Sequence, residues 1–181
     1  MSNIKEEFVV TDVELDEFLS ILKPNDTIEI YTDGSCQGNP GPGGWGAILI
    51  YKNKRTVLSG YDKDTTNNRM ELSATINALD VVPVNVSIII YTDSSYVKNG
   101  ITEWLPNWKI NNWKTADNKP VKNVDLWKQL DDISANRNIS WNWVKGHSDC
   151  VNNNNADFIA KSAMEEGIAH GNEDGIVYRN F

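Results

Sequence analysis

The tetrad Ile-Tyr-Thr-Asp occurs twice in this chain of 181 residues, at residues 30–33 and at residues 90–93. Each copy closes a β-branched run that is typical of a buried strand. Two strands that end in the same way can place two carboxylates together at one edge of a sheet, where they could hold a divalent metal ion. The alternative is that Asp33 and Asp93 only form turns, because Asp-Gly and Asp-Ser commonly end strands.

The order of the sequence patterns predicts an α/β protein with a mixed sheet. Strand-like runs at residues 28–32, 45–51 and 56–61 have short connections, so they should form an antiparallel meander. A later run, residues 88–90, is apolar on both faces, as parallel strands usually are. We expect a five-stranded sheet flanked by helices. The other predicted elements are a helix from its Asn67-Asn68 cap to Pro83, helices at 94–101, 124–133 and 155–166, and strands at 86–91 and 139–144.

The composition divides the chain into three predicted segments: an acidic extension at residues 1–26, a main domain at 27–166 and a polar tail at 167–181. The extension contains seven acidic residues and two lysines. It should form one short helix that begins with a capping box of Thr11 and Glu14 and stops before Pro24. The apolar face of this predicted helix consists of Val13, Leu15, Phe18, Leu19 and Leu22.

The net charge of −8 argues at first against a nucleic-acid partner, because phosphate binding usually needs a basic surface. Residues 104–123 differ, since they hold four lysines against one aspartate. Tryptophans lie between these lysines, and they suit nucleic-acid contact and local core packing about equally. The residues in question are Trp104, Trp108, Trp113 and Trp127 with Lys109, Lys114, Lys119 and Lys122.

Several classes of protein are disfavoured. No apolar run approaches the ~20 residues of a membrane span, and the first residues lack a signal-peptide core, so we expect a cytoplasmic protein without a membrane partner. Cys36 and Cys150 do not form a Cys-x-x-Cys pair and should be free thiols. The glycines at 41, 43 and 46 match a dinucleotide fingerprint, but a strand follows them where that fingerprint needs a helix. We expect no organic cofactor, and a monomer.

Three further residues are candidates for chemistry. Glu71 and Asp157 fall near the starts of predicted helices, where the helix dipole alone would favour an acidic residue. If they join Asp33 and Asp93, four carboxylates would repel one another unless cations neutralise them. His147 follows a strand end in a polar loop and could move protons near neutral pH, although a lone histidine is more often a surface side chain.

Six motifs, taken together and in order, resemble bacterial-type ribonuclease H, type 1, from residue 27 to residue 166. The resemblance implies a ribonuclease H-like fold and endonucleolytic hydrolysis of the RNA strand of an RNA–DNA hybrid, which leaves 5′-phosphate and 3′-hydroxyl ends. The motifs are Tyr-Thr-Asp-Gly-Ser-Cys-Gln-Gly-Asn-Pro-Gly-Pro-Gly-Gly at 31–44, Thr-Asn-Asn-Arg-Met-Glu-Leu at 66–72, Tyr-Thr-Asp-Ser at 91–94, Trp-Lys-Thr-Ala-Asp at 113–117, Pro-Val-Lys-Asn-Val-Asp-Leu-Trp at 120–127 and Trp-Val-Lys-Gly-His at 143–147.

The resemblance also assigns roles. Asp33, Glu71, Asp93 and Asp157 would bind two Mg²⁺ ions, with Mn²⁺ as a possible substitute, and His147 would assist proton movement or product release. The side chains that would contact the hybrid are Cys36, Gln37, Asn39, Thr66, Asn67, Asn68, Trp104, Lys109, Lys114, Lys122 and Asn123.

The chain departs from the family pattern in two places. Asp149 and Asn154 stand in the loop after His147 where the family usually has a glycine and a glutamate. Residues 110–112, Ile-Asn-Asn, stand where relatives often carry more basic residues, which predicts weaker hybrid binding. Two other functions stay open: a DNA nuclease on the same fold, and a catalytically silent hybrid-binding protein.

Overall fold

The computed structural model describes residues 10–145 and 150–170, and the backbone of residues 177–179. None of the helices in these ranges is long and apolar enough to cross a membrane. The strands are β1 (Thr11–Asp12), β2 (Thr27–Cys36), β3 (Gly41–Tyr51), β4 (Lys54–Thr65), β5 (Ser87–Thr92), β6 (Ile139–Trp143) and β7 (Val177–Arg179). The helices are α1 (Leu15–Ser20), α2 (Asn67–Asp80), α3 (Ser95–Asn99), α4 (Leu105–Ile110), α5 (Val124–Ser134) and α6 (Val151–His170), with a π-helical turn at Gly100–Trp104.

The strands form one mixed sheet in the order β1-β4-β3-β2-β5-β6, and β7 also pairs with β4. Strands β2, β3 and β4 are the predicted antiparallel meander, and β5 and β6 run parallel to β2. The predicted α/β fold is therefore confirmed. The sheet has seven strands among the described residues rather than five, because β1 and β7 add to β4. These two strands have two and three residues, too few to show an alternating pattern in the sequence.

Helices cover both faces of the sheet. The larger core lies between the sheet and α2, and it includes fully buried Leu72 and Leu79 from that helix. A smaller core on the other face joins Tyr31, Ile48 and Val57 to Ala156 and Ile159 of α6. Burial of apolar surface on both faces fixes α2 and α6 against the central strands, and so fixes which residues of each helix meet the strand ends.

The acidic extension begins differently from the prediction. Thr11 lies in β1 and does not cap α1, whose N-cap is Glu14 without a side-chain hydrogen bond, so the predicted capping box is wrong. The reason is pairing with β4: the Thr11 N–H donates to the Asn53 carbonyl at 2.7 Å, and Arg55 Nη2 donates to Asp12 Oδ2 at 2.9 Å. Tertiary hydrogen bonds thus replace the local cap.

Several helix boundaries differ from the predicted ones, at places where a neighbouring residue could also begin or end the helix. Thr66, rather than Asn67 or Asn68, caps α2, because its Oγ1 accepts from the Arg69 N–H at 3.2 Å. The helix predicted at 94–101 ends at Asn99 and continues as the π-helical turn and α4. The last helix begins four residues earlier than predicted, at Val151. The division of the chain into segments at residues 26 and 166 stays a prediction.

Phe18 anchors α1 in the larger core, where its side chain is fully buried. We expect Phe18→Ala to lower the free energy of unfolding by about 3–5 kcal/mol, since it removes a buried ring and leaves a cavity. Urea denaturation measures this loss. Ile21→Ala, three residues along and 36% exposed, is the matched control and should lower it by less than about 1 kcal/mol. Equal effects of the two variants would mean that α1 does not pack as described.

Candidate active site

The two Ile-Tyr-Thr-Asp copies lie side by side in register. Strands β2 and β5 pair in parallel with Ile30 opposite Ile90, and the tyrosines and threonines that follow are also opposite each other. Because identical residues on neighbouring parallel strands share a face, the rings of Tyr31 and Tyr91 stack, with centroids 4.6 Å apart and planes 9° from parallel. The next residue after each paired threonine is an aspartate, so both carboxylates leave the same edge of the sheet.

Glu71 reaches this edge because α2 passes very close to β2. A Cβ atom on Gly34 would lie 2.5 Å from the Glu71 nitrogen, well inside a van der Waals contact, so no larger residue fits there without moving the helix. The Glu71 side chain, in the second turn of α2, is only 5% exposed. A glycine directly after Asp33 is therefore what lets a helix carboxylate meet a strand carboxylate.

The structure brings Asp33, Glu71 and Asp93 together. Each offers a carboxylate oxygen, and the three oxygens lie within 4.8 Å of one another. Two carboxylates at that separation repel by roughly 3–4 kcal/mol at an effective dielectric constant of about 20. Asp33 is 4% exposed, so water screens this repulsion poorly. Asp33 Oδ1 accepts a hydrogen bond from the Gly34 N–H at 2.8 Å, which offsets only part of it.

Asp157 lies beside these three carboxylates without joining their close group. It is half-buried on α6, and its Oδ2 is 3.0 Å from Nζ of Lys161 one turn later. Its carboxyl is still near enough to Asp33 for a side-chain hydrogen bond, and its charge acts on Asp93. Four predicted carboxylates thus surround one strand edge, three in direct proximity and one in an ion pair.

Burial and mutual repulsion raise the pKa values of all three close carboxyls. Burial, with the Asp93 charge adding to it, raises the pKa of Asp33 to about 7. Burial and the Asp33 charge raise the pKa of Glu71 well above its usual range. Burial also raises the pKa of Asp93, although a hydrogen bond from Asn153 opposes that rise. Asp33, Glu71 and Asp93 therefore keep their protons to a higher pH than ordinary surface carboxyls do.

The donor set fits a divalent cation. It consists of carboxylate oxygens, the ligands that Mg²⁺ and Mn²⁺ prefer. Glu71 Oε2 is buried and has no hydrogen-bond partner among the described residues, an arrangement that is costly without a ligand. A cation would neutralise the repulsion and satisfy that oxygen together. The site is thus built for a divalent metal ion.

Comparison with known proteins agrees with this reading of the fold. A family model described as RNase H matches residues 25–165. A protein named Ribonuclease H from Paramagnetospirillum magneticum is 55% identical over 144 residues, which are 80% of this chain and 91% of the relative. Ribonuclease H from Francisella tularensis subsp. novicida is 52% identical over 150 residues, which are 83% of this chain and 99% of the relative. The chain belongs to the ribonuclease H family.

Solved structures of ribonucleases H share the fold. The crystal structure of LC9-RNase H1, a type 1 RNase H with the type 2 active-site motif, superimposes with a TM-score of 0.73 at 26% identity and covers 88% of this chain and 80% of that one. LC11-RNase H1, solved in complex with an RNA/DNA hybrid, gives a TM-score of 0.62 at 24% identity over 78% of this chain and 99% of that one. The predicted ribonuclease H family is confirmed.

The residues predicted to contact the hybrid form two groups in this ribonuclease H. The first lies around the β2–β3 hairpin and the start of α2. Asn39 Oδ1 accepts from the Asn67 N–H at 3.2 Å, and Gln37 beside it is exposed. The Cys36 thiol lies 3.5 Å from the carbonyls of Gly41 and Thr65, which places it at the base of the hairpin. Thr66 and Asn68 are half-buried at the helix start.

The second group lies on the segment from α3 to α5. Three of its tryptophans pack together. Trp127 is fully buried, and the Trp108 ring meets it edge to face with ring centroids 5.4 Å apart. The centroids of the Trp104 and Trp108 rings are 5.8 Å apart. The set thus forms local core, and half-buried Trp104 is at its margin. Lys122 and Lys114 are exposed, whereas Lys109 Nζ is 3.2 Å from Asp131 Oδ1.

Asn123 shows how the two groups are joined. It has a left-handed backbone with φ of 58°, its Nδ2 donates to the Tyr96 hydroxyl at 3.0 Å, and its Oδ1 accepts from Arg69 Nη1 at 3.3 Å. Arg69 also forms two hydrogen bonds with Asp125, at 2.8 and 3.0 Å. Sequence reasoning missed Arg69 and Tyr96, although Arg69 lies within the motif at 66–72. His147 and Asp149 lie outside the described residues.

Proposed function

We propose that this ribonuclease H hydrolyses the RNA strand of RNA–DNA hybrids endonucleolytically and leaves 5′-phosphate and 3′-hydroxyl ends. The observation that carries the proposal is the close group of Asp33, Glu71 and Asp93: two tetrads paired in register place the aspartates, and α2 adds Glu71. Relatives named Ribonuclease H at 52% and 55% identity support the activity, and LC11-RNase H1, solved in complex with an RNA/DNA hybrid, supports the substrate class. The proposed cofactor is Mg²⁺, two ions per site, with Mn²⁺ as a substitute.

The proposed roles follow from the geometry. Asp33, Glu71 and Asp93 would hold the metal, and Asp157 would complete the set if its carboxylate left Lys161. Bound divalent ions lower the pKa of a coordinated water and stabilise charge on the leaving oxygen. A bound cation would favour the ionised carboxyls, whose pKa values burial and mutual repulsion otherwise raise. His147 is proposed to move a proton or assist product release.

Selection of the hybrid is proposed to come from the two groups of residues described above. The amide side chains at 37, 39, 67 and 68 are suited to a minor groove, where RNA displays its 2′-hydroxyls. Trp104, Lys122 and Asn123 belong to the second group, which Asn123 joins to the start of α2 through Arg69, and they are suited to the phosphates of the DNA strand. The two groups together would then contact both strands of a hybrid, which duplex DNA or duplex RNA could not satisfy.

The test is a substrate panel. Labelled RNA–DNA hybrid, duplex RNA and duplex DNA are incubated with the protein in Mg²⁺, in Mn²⁺ and with chelator. The proposal expects cutting of only the RNA strand of the hybrid, dependent on metal. Cutting of duplex DNA would favour the nuclease alternative, and binding without cutting in either metal would favour a silent binding protein.

The protrusion formed by residues 104–123 should give weak electrostatic binding. Ile110 is 78% exposed at the end of α4, and Lys109 beside it is paired with Asp131. We expect Ile110→Lys to tighten hybrid binding and to steepen the slope of log K against log[salt] by about 0.7–0.9, the release of one counterion. Binding is measured by fluorescence anisotropy with chelator. The control is Val84→Lys, 57% exposed before β5 at the opposite sheet end, which should leave the slope unchanged. Equal slopes for wild type and Ile110→Lys would mean that the protrusion is not part of the surface that binds the hybrid.

A further inference from the structure

Asn153 of α6 is a buried polar residue that the carboxylate roles leave unexplained. Its side chain is 2% exposed, and it lies one helical turn before Asp157, on the same face of α6. Its Oδ1 atom is buried and has no hydrogen-bond partner among the described residues. Leaving such an acceptor unpaired costs about 1–3 kcal/mol, so packing alone does not account for an asparagine here.

The other end of the Asn153 carboxamide contacts Asp93. The two side chains lie close enough for a hydrogen bond, and its donor would be the Asn153 NH₂ group because an ionised carboxylate has no proton to give. That assignment turns Oδ1 away from Asp93 and leaves it as the free acceptor. Asn153 therefore offers its NH₂ group as a donor to Asp93, a proposed metal ligand, and its Oδ1 acceptor remains available for another hydrogen bond.

Asp93 needs such support more than its neighbours do. It is half-buried, whereas Asp33 and Glu71 are buried, and it lies between the end of β5 and the start of α3. Its backbone is held by Trp143, whose Nε1 donates to the Asp93 carbonyl at 3.1 Å. Its side chain is only half-buried, so packing fixes its rotamer less firmly than those of Asp33 and Glu71, and a hydrogen bond from Asn153 would add to that restraint.

We propose that Asn153 is a positioning residue of the metal site: its NH₂ group fixes the Asp93 carboxylate, and its Oδ1 accepts a hydrogen bond from a water molecule at the site. The proposal rests on the proposed function, since it takes Asp93 as a metal ligand. Partners that orient metal ligands commonly contribute 10- to 100-fold to metal affinity. Asn153 would then act on metal binding without touching the metal.

The decisive variant is Asn153→Leu, because leucine has nearly the shape of asparagine and removes both hydrogen-bonding atoms. Mn²⁺ affinity is measured without hybrid, by the relaxation rate of water protons, and unfolding is measured in urea with chelator. We expect about 10- to 100-fold weaker Mn²⁺ binding, with metal-free stability equal to or above that of wild type. Asn155→Leu, half-buried two residues along, is the control and should bind Mn²⁺ as wild type does.

Two further variants make the result decisive. Asn153→Ala should weaken Mn²⁺ binding as Asn153→Leu does, and it serves if the leucine variant fails to fold. Wild-type Mn²⁺ affinity in either folded variant would overturn the inference. Asp93→Asn distinguishes this failure from failure of the proposed function. If Asp93→Asn also binds Mn²⁺ as wild type does, the metal assignment itself is wrong. If Asp93→Asn binds Mn²⁺ weakly while the Asn153 variants bind it as wild type does, only the role of Asn153 is wrong.

Discussion

Asp93→Asn should lose hydrolysis of the hybrid by at least ~100-fold while its metal-free hybrid affinity stays within a factor of about two. The amide keeps the shape of the side chain at the end of β5, so the fold and the nucleic-acid surface should not change. It replaces a charged ligand of the close carboxylate group by a neutral one, which weakens attraction for a divalent ion. Single-turnover cleavage in saturating Mg²⁺ and anisotropy with chelator measure the two quantities separately.

The control for charge removal is Asp132→Asn, an exposed residue of α5 outside the carboxylate group. It should keep wild-type cleavage. If Asp93→Asn also cleaves at the wild-type rate, then Asp93 is not a metal ligand and the proposed mechanism fails. If Asp93→Asn loses hybrid affinity in the absence of metal, its defect lies in the binding surface instead.

The repeated tetrad shows how far the sequence could predict the site. Two strand-like runs that end in Asp were enough to predict that two carboxylates share a sheet edge. Their pairing in register could not be derived, because register depends on how whole strands pack against α2 and α6. The same limit applies to Glu71. Its position depends on the close approach of α2 to β2 at Gly34, which the spacing of apolar residues in the sequence does not indicate.

The wrong predictions fall at residues whose type suits two different local structures. Thr11 had the residue type and spacing of a helix cap, but hydrogen bonds to β4 placed it in a strand. Asn153 lies in a run of four asparagines, at residues 152–155, that reads as a polar loop. Only the fold shows that one of the four is buried against Asp93. Burial of single polar residues is set by tertiary packing, which a local pattern does not contain.

Asp33→Asn should make the metal-free protein more stable above pH 8, although it removes a proposed metal ligand. The folded state raises the pKa of Asp33 from 3.8 to about 7, so the folded state holds the proton more tightly than the unfolded chain. The stability that this proton contributes is fully present below about pH 4 and is lost as the pH rises through about 7. Wild type therefore carries a buried, repelling charge at pH 8 that the asparagine variant lacks.

The size of the effect follows from the same shift. A rise of about three pKa units corresponds to at most about 4 kcal/mol, so thermal unfolding with chelator at pH 8.5 should show a Tm increase of about 5–10 °C for Asp33→Asn. At pH 4 the variant and wild type should unfold within about 2 °C, because the carboxyl is then protonated. Excess Mg²⁺ at pH 8.5 should raise the Tm of wild type and leave that of the variant nearly unchanged. A Tm difference that does not depend on pH would mean that the buried, repelled charge of Asp33 is not what destabilises the metal-free site.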